Sequence, residues 1–126
     1  MPHAVFEPAA DLSLFWEKFE PFKVVLPNRH VLETRAAFLR RDRDSVIVSA
    51  IAFEFGPPQH FFVVCDRSGD RVTVRCGTHV PVARTDGVIA IVQEVARRYL
   101  TLGGEVRSTN LDLAVVLGEE ETSEDA

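Results

Sequence analysis

The stretch SVIVSAIAFEFGPPQHFFVVCDRSGDRVTVRC, residues 45–76, decides the fold. It divides into three alternating segments, Ser45–Phe55, His60–Asp66 and Arg71–Cys76, separated by Gly56-Pro57-Pro58-Gln59 and Arg67-Ser68-Gly69-Asp70. Proline has no N–H to give to a ladder, so the first break ends a strand. The second, Gly-containing break is a hairpin signal. Three successive strands with short turns make an antiparallel meander, and Ser45–Phe55, apolar on both sides, reads as its central strand.

Working outward, Val31–Arg40 matches that strand in length across the polar turn Arg41-Asp42-Arg43-Asp44 and reads as its neighbour. Phe22–Leu26 is a shorter strand closed by Pro27-Asn28. Before it, Leu12, Phe15, Trp16 and Phe19 recur at helical spacing within Pro8–Glu20, and Pro21 ends the pattern. Beyond Pro81, Thr85 or Asp86 serves as N-cap for a helix running to about Leu102, with Val88, Ile91, Val92, Val95 and Tyr99 as its apolar stripe. Gly103-Gly104 stops it. Leu111, Leu113, Val115 and Leu117 then alternate with Asp112 and Ala114, which predicts a last strand. The expected fold class is α+β: an antiparallel meander of about five to six strands, with an N-terminal and a C-terminal amphipathic helix packed on one face.

Composition sets limits on this picture. The chain has 126 residues, 46% hydrophobic and 26% charged, enough apolar material for one core. Residues 1–118 read as a single domain and residues 119–126 as an acidic tail, expected to be disordered because it has no apolar anchor. The net charge of −5 is matched by the five acidic residues Glu119, Glu120, Glu121, Glu124 and Asp125, which leaves the body neutral. A neutral body lacks the electrostatic footprint of phosphate binding. No apolar run approaches the roughly 20 residues of a membrane span, and no basic-then-hydrophobic leader opens the chain, so a cytoplasmic location is expected.

Alternation also divides the sheet into two faces. If the hairpin centres on Ser68-Gly69, Cys65 lies opposite Val72, Val63 opposite Val74 and Phe61 opposite Cys76. One face then collects Leu32, Ala36, Phe38, Ile47, Ile51, Phe53, Phe55, Phe61, Val63, Cys65, Val72, Val74 and Cys76, which the helices cover. The other collects Glu33, Arg35, Val46, Val48, Ala50, Ala52, Glu54, His60, Phe62, Val64, Asp66, Arg71, Thr73 and Arg75, with Asp66 facing Arg71. An apolar centre rimmed by Arg and Glu suits an association surface. The interaction residues expected are Arg35, His60, Phe62, Val64, Arg71, Thr73 and Arg75. The alternative is a face closed over by His3–Phe6.

Chemical motifs are sparse. The two thiols share the apolar face about 13 Å apart at strand rise, beyond the roughly 7 Å Cα limit for a disulfide. Cys76-Gly-Thr-His79 supplies two zinc ligands where about four are needed, so no metal and no cofactor are expected. No phosphate loop, dinucleotide fingerprint or zinc-protease motif occurs.

In small size, acidic balance and the combination of two helices with an antiparallel sheet, the chain resembles small bacterial secretion-chaperone-like proteins. The resemblance is one of element types and transfers no site residue. The expected function is a non-enzymatic protein-interaction module, chaperone-like or adaptor-like, homodimeric through the mixed sheet face or an edge strand. Two alternatives are kept. One is a small-molecule binder or enzyme with a pocket between the C-terminal helix and the sheet, served by Tyr99, His60 or His79. The other is a single-stranded nucleic-acid binder using Arg35, Arg71 and Arg75 around Phe62.

Overall fold

The computed structural model describes residues 1–117. The acidic segment 119–126 and the domain boundary at residue 118 lie outside them. In chain order the elements are β1 (His3–Phe6), α1 (Leu12–Lys18), β2 (Lys23–Val25), β3 (Val31–Leu39), β4 (Ser45–Phe53), β5 (Gln59–Ser68), β6 (Arg71–Cys76), α2 (Asp86–Leu100) and β7 (Val106–Thr109). All seven strands join one antiparallel sheet of order β2-β3-β4-β5-β6-β1-β7. The class is α+β as expected, with more strands than the five to six predicted. No helix among the described residues is long and apolar enough to cross a membrane.

Both helices lie on one side of the sheet. α2 touches β1 and β6 on one half and β3 and β4 on the other, so the sheet curls around it, while α1 closes the side over β3 and β4. The stripe expected on α2 is the core: Val88, Ile91, Val92, Val95 and Tyr99 are each no more than 1% exposed. Thr85 caps the helix by accepting from Val88 N, and Gly103, at φ +116°, ends the turn that follows it. α1 is shorter than its sequence pattern, because Asp11 caps it by accepting from Ser13 N and Phe19 leaves helical geometry ahead of Pro21. Leu12 and Phe15 are buried, while Trp16 is 41% exposed and donates its Nε1–H to Ala37 O at 2.9 Å.

Three strand assignments are corrected by the structure. The segment His3–Phe6 does not fold over the mixed face. It enters the sheet as β1 between β6 and β7, sending Ala4 and Phe6 into the core. The last strand is Val106–Thr109, not the alternating run at 111–117. In that run Leu111, Leu113 and Leu117 pack partly against the core from turns. Finally, the β5–β6 hairpin centres on Gly69-Asp70, with Ser68 opposite Arg71 and Cys65 opposite Val74. That shift is two residues, so face assignments on β5 and β6 are unchanged. It makes Cys65 and Cys76 diagonal neighbours, and both remain free thiols.

The β4–β5 turn has a different consequence. The expected faces set Phe62 on the same side as Ala52, whereas Ala52 pairs with Gln59 and Ser49 with Phe62, an odd slip from that parity. An odd slip turns every β4 side chain over. Val46, Val48, Ala50 and Ala52 are therefore core residues, and Ile47 and Phe53 face the other way. β3 carries a bulge between Thr34 and Ala36. Leu32 and Thr34 point inward before it, while Ala36 and Phe38 point outward after it, Phe38 being 57% exposed. The exposed Phe55 lies past the strand end and is not a core residue.

Candidate functional surface

The sheet face away from the helices is the one surface that gathers the sequence-predicted residues. Phe62 sits at its middle on β5, paired with Ser49 on one side and followed on the other by Gly77, whose N–H donates to Phe62 O at 2.7 Å. The ring of His79 packs edge-to-face against Phe62, centroids 5.9 Å apart. This is possible because position 77 is glycine: a Cβ there would come within 3.0 Å of both His79 Nδ1 and a Val64 methyl. Val64, beside Ile47, is only 3% exposed under these neighbours. Phe38, Ile47, Phe62 and His79 enclose a shallow depression of about 270 Å³.

Ion pairs lie on the same face, Asp66–Arg75 nearest by register. Arg75 Nη2 lies 2.7 Å from Asp66 Oδ2, and Asp66 Oδ1 accepts from Ser45 Oγ at 2.6 Å. The expected Asp66–Arg71 pair is thus replaced by Asp66–Arg75, because the hairpin shift sets Asp66 opposite Thr73. Arg71 instead lies 3.7 Å from Glu7, a carboxylate also bound by Arg107, whose hydrogen bond holds it below the usual carboxylate range. Arg35, the additional residue of the β3 bulge, reaches Glu33 at 2.9 Å. Thr73 is half-buried between these groups, and His60 is exposed at the end of β5. Glu54 leaves this face altogether. Its carboxylate accepts from Thr85 Oγ1 at 2.5 Å and from Gly87 N at 3.0 Å, adding a second cap to α2.

The structure also supplies members that the sequence reading sent to the core, namely Phe38 and Ile47. The signal that identifies them is the β3 bulge together with the β4–β5 register, and neither has a sequence signature in this chain.

The other candidate sites do not converge in the same way. Tyr99 is fully buried, donates to Ala10 O at 2.5 Å and packs edge-to-face on Phe6 and Phe15. The space between α2 and the sheet is filled along Ile91–Tyr99. At the helix's N-terminal end a pocket of about 280 Å³ opens among Cys76, Val80, Val82 and Val88. Burial raises the Cys76 thiol above its usual range and the Cys65 thiol further, which disfavours the thiolate that nucleophilic chemistry requires. Cys76 faces the core and His79 the outer surface, so the C-x-x-H pair is split across the sheet. Among the described residues no three His, Cys, Asp or Glu side chains group as a metal site.

No family model matches this chain, and neither a curated protein nor a solved structure matches it.

Proposed function

We propose that the protein is a non-enzymatic protein-interaction module, chaperone-like or adaptor-like, that works as a homodimer through the outer sheet face or an open strand edge. The observation that supports this is the depression formed by Phe38, Ile47, Phe62 and His79, an apolar centre with the Asp66–Arg75 ion pair on the same face, left uncovered by both helices. A single-stranded nucleic-acid role has less support, since Arg35, Arg71 and Arg75 each already face a carboxylate. On the proposed reading the site of action is the cytoplasm, with which two free buried thiols agree.

Neighbouring phenylalanines provide the test. Phe61 is 2% exposed in the core and Phe62 is half-buried on the outer face. Phe61→Glu is expected to abolish cooperative melting, whereas Phe62→Glu lowers the melting temperature only modestly. Phe38→Glu, and to a smaller degree Phe62→Glu, should shift light scattering from dimer toward the 14.1 kDa monomer. A wild-type chain that sediments as monomer at micromolar concentration would remove the homodimer.

A further inference from the structure

β3 is nine residues long, but its outer neighbour β2 covers only Val31, Leu32 and Glu33. Phe22 extends that cover to Thr34 through Thr34 N–H to Phe22 O, 2.9 Å. Among the described residues, Ala36 to Leu39 have no strand neighbour on that side. Arg40 N donates to Ser45 O at 2.8 Å, so by antiparallel alternation Phe38 bonds inward to Ile47, and the main chains of Ala37 and Leu39 aim away from the sheet. Ala37 O accepts the Trp16 indole N–H at 2.9 Å. A carbonyl oxygen has a second lone pair that can accept a further hydrogen bond. Between these two outward-aimed residues stands Phe38, the most exposed aromatic of the outer face.

Resting on the homodimer reading above, we infer that the partner is a second copy of this chain, added edge to edge along Ala36–Leu39 of β3 about a two-fold axis through Phe38. The edge is self-complementary in that arrangement, as an isologous contact requires. Ala37 and Leu39 of one copy pair with Leu39 and Ala37 of the other, and the two sheets become one. The two Phe38 rings become directly opposed cross-strand neighbours, which buries both.

The geometry fixes which positions can be cross-linked. Phe38 and its counterpart form a non-hydrogen-bonded pair with Cα atoms about 4.5 Å apart, inside the disulfide range. Ile47, one strand further in, is three strand spacings from its counterpart, about 14 Å. Phe38→Cys, a change at an exposed side chain, should therefore oxidise to a covalent dimer on a non-reducing gel. Ile47→Cys and Phe62→Cys should not, and the wild-type chain serves as the control for the buried Cys65 and Cys76. Cross-linking through Ile47→Cys or Phe62→Cys, equal to or in place of that through Phe38→Cys, would overturn the edge arrangement while leaving self-association standing. A monomeric wild-type chain with no cross-linked variant would remove both.

Discussion

Val95→Asp should leave no cooperatively folded domain at room temperature. Val95 is fully buried on the face of α2 that the curled sheet encloses. The substitution forfeits roughly 1.5–3 kcal/mol of apolar burial and adds the cost of an unpaired carboxylate in the core, several kcal/mol more. Set against a total stability of about 5–15 kcal/mol for a domain of this kind, the combined loss removes most or all of it. Circular dichroism would show a non-cooperative thermal profile. Ile89→Asp provides the contrast on the same helix, because Ile89 is half-exposed and its variant should still melt cooperatively. Similar behaviour by the two would mean that the helix is phased differently about its axis.

The second large effect is expected at Glu94, whose side chain is 2% exposed yet carries a full set of partners. Oε1 accepts from Arg97 Nε at 3.0 Å and Leu117 N at 3.2 Å. Oε2 accepts from Arg97 Nη2 and Arg98 Nε, both at 2.7 Å. Burial pushes this carboxyl up, but the hydrogen bonds from Arg97, Arg98 and Leu117 outweigh it and hold the group below its ordinary value of 4.5. Arg98 in turn donates to Glu20 O and lies 4.5 Å over the Phe22 ring, so the cluster ties α2 to the chain on both of its sides. Glu94→Ala removes the shared acceptor, and a loss of about 3 kcal/mol is expected, the low end of the range for breaking a buried pair, since both arginines can turn toward water. A depressed folded pKa has a definite sign in linkage: the stabilisation is complete above the unfolded value and is lost as pH falls through the folded one. The wild-type melting temperature should thus fall below about pH 4.5, and Glu94→Ala should flatten that fall. An acid limb as steep in the variant as in the wild type would show that other carboxylates set it.

What could be read from the sequence followed the strength of local pattern. The five-residue stripe of α2, its Thr85 cap and its Gly103 stop were legible because a 15-residue helix repeats its signal over several turns. The meander β3-β4-β5-β6 was legible from its turns. What failed was parity across β4, because a strand apolar on both sides looks the same after an odd slip, and the loop of Gly56, Pro57 and Pro58 does not announce its register. The β3 bulge was equally silent, and its effect cancelled the slip at Leu32 while leaving Phe38 on the wrong face. β1 and β7 are four residues each and pair with one another across a hundred positions of chain, beyond the reach of any local rule. At Glu94 the sequence shows an i, i+4 spacing to Arg98, legible as a surface pair of small value. Its burial under Leu117 was not.

The placement of β1 has a consequence for the order of assembly. Residues 3–6 need β6, some seventy positions later, as one neighbour and β7, about a hundred positions later, as the other. During synthesis β1 is therefore left without a partner until β6 has been made, and with one bare edge until β7 follows, while β3 to β6 can zip through adjacent hairpins. Closing such distant ends is entropically slow. The sheet is completed by β1 and β7 meeting, with the Asn110 side chain donating to Met1 O at 2.8 Å and accepting from His3 N at 2.9 Å. A nascent chain stalled before Val106 would present β1 with one bare edge, so protection of residues 3–6 should be the last to arrive.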